Sequence, residues 1–448
     1  MTRLRRPPGF AIACLALLAA ACSGAATPTS APGPPTSPAP STSAPSPTTT
    51  LPAVSGDADP AVAAAIQEGV TALAAEVEVV RGLPFVVVPE ISVLRDATFG
   101  AAWEAVVAGG IDSERLALDT GLYRLFGLLG PGDDLEAILR ALPPPATVAY
   151  YDPGAFTLVV SDAAAELTPT DRSSIVHELV HAVVDQHFAF GRERAALAGA
   201  GADDPLVAYD ALVEGDATYF QLVYLQGLDQ ADRIEVALAF ASTDSAAIRD
   251  LPDFVRATLA FPYEEGFTFV RDLVEAGGIA RVDQAYREPP TTSAQILNPA
   301  RYLAGEGPRR VVPLELDLGR ATVTPATTFG QHRLDALLTS VIPPDLVTQT
   351  VDGWDGDTYQ LVAEGDEIGF ALILQMLSPD DAIEVVDALV AHANEVIQAG
   401  EGAEVDGGLL WSNDDVYIFV DRVGDSLRYL LASEPTLGAR LRTQVPVP

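Results

Sequence analysis

The apolar positions of this chain change period along its length, and those changes divide it into elements. Pro60 to Ala75 repeats apolar residues at helical spacing, whereas Val77 to Val88 reads as a strand interrupted at Arg81-Gly82-Leu83-Pro84. Leu94 to Val107, Ser113 to Leu129 and Asp134 to Leu142 return to the helical period. Gly109-Gly110 closes the first of these and Pro143-Pro144-Pro145 the last. Thr147 to Tyr151 and Phe156 to Val160 flank Asp152-Pro153-Gly154, which has the turn chemistry of a hairpin. Helical spacing resumes over Asp229 to Ser242, Pro252 to Leu259, Gly266 to Glu275 and Val282 to Arg287. The Arg- and Gly-rich residues 301–312 mark a boundary. Past it, Thr358 to Ala363, Ile368 to Leu377, Leu409 to Trp411, Val416 to Val420 and Ser426 to Leu431 read as strands. They surround a helix over Pro379 to Gln398, while Trp354-Asp355-Gly356-Asp357 reads as a turn. The fold class expected is α+β: a mostly helical body with a small hairpin over 57–304, then an α+β module over 305–448.

Two helical stretches carry a polar stripe on an otherwise apolar surface. In the first, Thr168-Pro169-Thr170-Asp171 supplies an N-cap, a proline at the first position and an acid at the third. At about 100° per residue, Ser174, His177, Glu178, His181 and Asp185 fall in one sector, with Ile175, Val176, Leu179, Val180, Ala182 and Val183 opposite. In the second, Pro205 to Gly227, the stripe is Asp210, Glu214, Thr218 and Gln221. Polar groups facing a core are costly unless paired or bound to metal, so the two stripes are expected to face each other. Gly215, beside Glu214, permits a close approach of helix backbones.

The first stripe contains His177-Glu178-Leu179-Val180-His181, the H-E-x-x-H pattern, and uses two of the chain's five histidines. Residues four apart on a helix stand one above the other, so both imidazoles can reach one ion with Glu178 pointing into the same space. Two neutral imidazoles suit zinc, and the adjacent carboxylate is placed to take a proton from water. His187 lies roughly 80° to 120° away around the helix and is excluded as a ligand. The expected set is His177 and His181 with Glu214 from the second stripe. His332 and His392 have no partner in sequence and read as surface or packing residues.

Composition restricts the setting. The chain has 448 residues, 48% of them hydrophobic, enough for a sizeable core. A formal net charge of -36, with all 26 cationic side chains arginine, excludes nucleic acid as a partner. Arg3, Arg5 and Arg6 followed by an apolar run from Phe10 to Ala21 form an export leader over 1–21. Leu18-Ala19-Ala20-Ala21-Cys22 resembles the lipobox of bacterial lipoproteins, with Ala19 where leucine is usual. That resemblance implies a lipid anchor on Cys22 at the outer face of the membrane; ordinary cleavage near Ala21 and secretion is the alternative. Cys14 is lost with the leader, so no intrachain disulfide and no cysteine-ligated metal are expected. Residues 22–56, rich in Pro, Ser, Thr and Ala, form a solvated tether without a core.

His177-Glu178-x-x-His181 followed some thirty residues later by a helical Glu214 resembles the gluzincin division of zinc metallopeptidases. Ala211-Leu212-Val213-Glu214-Gly215-Asp216-Ala217, Asp185-Gln186-His187-Phe188, Phe261 to Gly266, Gly277-Gly278 and Pro289 to Ser293 are similar to poorly characterised exported bacterial and archaeal metallopeptidase-like proteins. The likeness spans roughly 80–304 and, more weakly, the C-terminal part. It implies a zincin-like domain over 57–304, zinc as cofactor and a peptide or protein as substrate. It also implies that the strand Phe156 to Val160 serves as the edge along which an extended peptide pairs. Glu178 is then the general base, Asp185 is placed to orient an imidazole, and Tyr263 is the candidate oxyanion donor, with packing as its other reading. The chain departs from the resembled pattern at Thr218, where gluzincins often carry an acid, and at Asn298, where a histidine is expected. The alternatives are a zinc-binding but inactive scaffold lipoprotein and a hydrolase of cell-wall peptide crosslinks.

Overall fold

The computed structural model describes residues 56–141, 147–242, 249–398 and 400–448. The leader, Cys22, all of the tether but residue 56, and the Pro143-Pro144-Pro145 stop lie outside the described residues. The first helix, α1 (Pro60–Arg81), starts where the Asp59 side chain accepts the Ala61 amide and stops at Gly82, whose φ of 73° is left-handed. The strand expected over Val77 to Val88 is absent. Val77 and Arg81 continue the buried face of Ile66, Val70 and Leu73, and the helix period prevails over the β-branched composition. The strand lies later, at β1 (Glu90–Leu94), and the residues between are held by side chains. Glu78 accepts the Phe85 amide, and Gln186 bonds Val86 and Val87 through both ends of its amide.

There follow α2 (Asp96–Gly110), α3 (Ser113–Leu125), α4 (Leu135–Arg140), β2 (Ala149–Asp152), β3 (Thr157–Ser161), α5 (Pro169–Phe188), α6 (Phe190–Gly199), α7 (Asp203–Gly227) and α8 (Gln230–Ser242). The hairpin forms as expected, but its sheet has the order β1-β3-β2, with β1 parallel and β2 antiparallel to β3. The strand from Phe156 to Val160 is therefore the centre of its sheet, and both of its edges are paired. The remaining helices of this part are α9 (Asp253–Gly277), α10 (Ile279–Arg287), α11 (Ser293–Leu297) and α12 (Pro299–Leu303). Pro252 to Leu259 and Gly266 to Glu275, read as separate helices, are one: α9 runs through Pro262. Its packing on α7 outweighs the hydrogen bond that proline removes.

That packing is backbone on backbone. A Cβ at Gly215 of α7 would lie 2.2 Å from the Gly266 carbonyl carbon of α9, and one at Gly266 would lie 2.1 Å from the Ala211 oxygen. Gly215→Ala is expected to push α9 off α7 and destabilise the protein by about 1–3 kcal/mol, measured by denaturant titration. An unchanged midpoint would mean that the two helices are not held at this distance. A single apolar core joins α1, α5, α7, α9 and the small sheet, centred on residues such as Ile175, Leu179, Leu212, Phe220 and Phe269.

The second part contains β4 (Thr322–Val323), α13 (Gly330–Leu338), α14 (Pro344–Asp352), β5 (Trp354–Glu364), β6 (Glu367–Met376), α15 (Pro379–Glu395), β7 (Ala403–Val405), β8 (Gly408–Ser412), β9 (Tyr417–Val423), β10 (Ser426–Ala432) and α16 (Pro435–Gln444). Its strands form a seven-stranded antiparallel sheet in the order β4-β5-β6-β10-β9-β8-β7, so the α+β class holds. Alternate residues face opposite cores: Ile418 and Val420 lie with α13, α14 and α15, while Tyr417 and Phe419 lie with α16. Trp354 to Asp357 is the start of β5 and not a turn. Trp354 is buried, and Asp357 accepts its indole N–H and the amides of Phe329 and Gly330. The division at residue 305 does not separate the cores, because Leu122 and Phe126, on α3 and just past its end, are buried against the second sheet. Among the described residues no helix is long and apolar enough to cross a membrane.

His332 and His392 are both buried, which leaves packing and removes the surface reading. His392 sits with Nε2 2.8 Å from the Phe126 carbonyl and Nδ1 3.3 Å from the Tyr429 hydroxyl. Burial pushes its pKa down to about 4, against the Phe126 bond. The unfolded chain takes that proton near pH 6.5 and the folded one near 4, so the unfolded state binds more protons in this window. This residue's contribution to stability is therefore lost as pH falls from 6.5 to 4, by about 2–4 kcal/mol. Burial raises Asp204 to about 7 and Asp357 to about 6, which works the other way, so the test is a difference. His392→Gln keeps a donor for Phe126. It is expected to be less acid-sensitive than wild type over this window, and parallel stability–pH curves would refute the assignment.

Candidate metal centre

The helix α5 begins with a complete capping box, Thr168 accepting the Asp171 amide and Asp171 accepting the Thr168 amide. This start sets the rotational phase of the helix, and from Ser173 to Asp185 every residue is buried. His177 is 1% exposed, Glu178 1%, His181 2% and Glu214 6%. The two stripes do face each other. At the deep end Gln221 Nε2 donates to the Ser173 carbonyl at 3.1 Å and to its hydroxyl at 3.0 Å. In the middle Glu214 Oε2 is 3.4 Å from His177 Nε2 and 3.5 Å from His181 Nε2, and the two imidazole nitrogens are 3.2 Å apart. At the other end Asp210 pairs with Arg194.

Those three separations can be compared with what a small cation requires. Tetrahedral zinc with bonds of about 2.0–2.1 Å to nitrogen and oxygen places its ligand atoms roughly 3.3–3.4 Å apart. His177, His181 and Glu214 are the one such group of potential ligands found among the described residues. Around them, His177 Nδ1, Glu178 Oε1, Glu214 Oε2 and Thr218 Oγ1 are buried without a hydrogen-bond partner. Orphaned polar atoms are costly in a core, and a cation with a water would satisfy Glu214 Oε2 and Glu178 Oε1, though not His177 Nδ1 on the far side of its ring. The donor set, two imidazoles and a carboxylate, could hold a metal ion.

Electrostatics separates the two carboxyls. Burial pushes Glu178 up to about 7, against His177 and the Tyr151 amide, which favour its charged form. Burial also works to raise Glu214, but His181 and His177 prevail and hold it at about 2. The two carboxyls are therefore pushed in opposite directions.

Residues outside the expected set complete the site. The Tyr151 amide on β2 donates to Glu178 Oε2 at 2.9 Å, and its hydroxyl donates to Asp185 Oδ2 at 3.0 Å. Tyr151 thus clamps the outer edge of β2 to α5 at two points. Asp185 accepts from this tyrosine and from the Gly191 amide, and His181 lies close enough to favour its charged form. His187 is out of the centre as expected, with Nε2 2.8 Å from the Pro84 carbonyl. Asp216 points away from the stripe, to Arg81 and the Tyr286 hydroxyl. Tyr263 is buried on α9, one turn before the Gly266 contact with α7. Asn298 lies at the joint of α11 and α12, where its backbone amide donates to Ala294. Phe190 of α6, whose ring centroid is 5.7 Å from that of His181, had no signal in the motif; only its helical spacing with Arg194 hints at an inward face.

Residues 320–441 match the family model of a domain of unknown function (DUF8575). No curated protein and no solved structure matches the chain. The matched segment runs from just before β4 into α16 and contains none of the centre's residues.

Proposed function

We propose that this protein is an exported zinc-dependent peptidase with a zincin-like domain, in which His177, His181 and Glu214 hold the metal. The observation that supports it most is the donor triangle, 3.2 to 3.5 Å on each side, with the unpartnered Glu178 Oε1 buried beside it. Bound zinc would polarise a peptide carbonyl and acidify water at the fourth position. Glu178 Oε1 would accept a proton from water and hold it for the leaving amine, while the Tyr151 amide on Oε2 keeps the carboxyl in register. The sheet order leaves β2 with an outer edge that pairs with no strand among the described residues, so β2 rather than β3 would align an extended peptide. Tyr263 is the proposed oxyanion donor. The lipid anchor on Cys22 would hold this domain outside the membrane on its tether.

A second reading, a zinc-binding scaffold without catalysis, draws on how closed the centre is and on Asn298 in place of the expected histidine. Peptide-library cleavage with and without a chelator separates the two. About one zinc per chain is expected in the purified protein, lost on His177→Ala, together with chelator-sensitive cleavage. Zinc without cleavage would favour the scaffold, and a wild-type chain that takes up no zinc would end both readings.

A further inference from the structure

α6 lies over the centre with one face. Phe190, Arg194 and Leu197 turn inward at positions i, i+4 and i+7, while Arg192, Glu193, Ala196 and Ala198 are exposed. Phe190 covers the His181 ring. One turn further on, Arg194 grips Asp210 with two prongs, Nε to Oδ1 at 2.8 Å and Nη2 to Oδ2 at 3.1 Å. Asp210 stands one helical turn before Glu214 on the same face of α7, so the two Cβ atoms are roughly 5–6 Å apart. A guanidinium is thus already bound beside the donor triangle, by a carboxylate that the long helix α7 holds in place.

The segment that supplies this guanidinium is a short helix held at a few points. Phe190 is the one fully buried residue of α6, and the rest of its inward face is the Gly191 amide on Asp185, the ion pair and the half-buried Ala195 and Leu197. Its start, Ala189, has a left-handed φ of 53°, and Gly201 beyond its end has a φ of 62°. With the ligands 1–6% exposed, a peptide reaches them only if a covering segment moves. The ion pair is partly exposed, its side chains 11% and 23%. The chain's net charge of -36 favours association with cationic over anionic peptides.

We propose that Asp210 is a cation-recognising subsite of the centre and that Arg194 fills it in the closed form. Preferred substrates are then peptides with a guanidinium or ammonium group, which takes the place of Arg194 as α6 lifts. The proposal rests on the zinc-peptidase reading for its role in cleavage, but the subsite can be tested without zinc.

Calorimetry with three probes tests it: arginine hydroxamate and norleucine hydroxamate on the zinc-loaded protein, and agmatine, which has a guanidinium but no metal-binding acid, on the metal-free one. Arg194→Ala is expected to raise affinity for arginine hydroxamate and agmatine by roughly tenfold. Asp210→Asn is expected to erase the preference for arginine over norleucine hydroxamate and to abolish agmatine binding. Both variants break the same ion pair, so a merely structural pair would move both affinities in one direction, and that result overturns the proposal. Equal binding of the two hydroxamates by wild type, or agmatine binding that ignores Asp210, also overturns it. Zinc content of the same samples shows separately whether the centre itself fails.

Discussion

Glu178→Gln is expected to lower peptide cleavage by about 10²–10⁴-fold while leaving zinc content and fold intact. The substitution keeps the shape of the side chain and an oxygen to accept the Tyr151 amide, now at 2.9 Å from Oε2. It removes the ability of Oε1 to take a proton. Zinc stoichiometry should not change, because the proposed donors are His177, His181 and Glu214. Thermal stability should hold or rise, since the variant no longer buries a carboxyl whose ionisation burial opposes. The pattern of lost cleavage, kept metal and kept melting point is what a general base predicts and a misfolded variant does not. Cleavage equal to wild type would remove Glu178 from the chemistry, and parallel loss of zinc would make it a ligand instead.

Asp216→Ala is expected to cost about 3–5 kcal/mol, more than any other single change proposed for the fold. Arg81 is fully buried at the end of α1, its Nε 3.0 Å from Asp216 Oδ1, with Phe220 beneath its guanidinium. The Tyr286 hydroxyl donates to the same carboxylate at 3.0 Å. Removing Asp216 leaves a buried cation with only the partly exposed Asp283, 2.9 Å from Nη2, to neutralise it. The desolvation penalty of Arg81 is then largely uncompensated. Because this carboxylate ties α1 and α10 to α7 two residues beyond Glu214, zinc affinity should fall along with the denaturation midpoint. The double variant Arg81→Met with Asp216→Leu should recover most of the stability, because it removes both charges together. A single variant within 1 kcal/mol of wild type would show that the pair contributes no such support.

Asp216 also illustrates how far the sequence could be read. Helical phase alone placed it off the Glu214 stripe, and the structure agrees. What it faced instead was invisible, since Arg81 is 135 residues away in the chain. The same limit explains the misread strand at Val77 to Val88: its valines favour extended backbone locally, but a buried arginine paired across the core makes the helical period the better solution. It explains the two helices read around Pro262, joined because Gly266 lies on the α7 backbone. It also explains the edge strand placed at β3, since no local pattern reveals that β1 adds in parallel on its far side.

The local part is legible in neighbouring residues: the capping box that starts α5, the phase that puts His177, Glu178 and His181 on one stripe, the matching stripe on α7, and the α+β alternation of the last third. These follow from the pitch of a helix and the pleat of a strand, which act over a few residues. Only the tertiary structure decided that the donors close to 3.2–3.5 Å, that Tyr151 holds Glu178, and that α6 covers the centre with an arginine on Asp210. Those depend on which surfaces meet, and that is set by burying the whole core at once rather than by any segment's own preference.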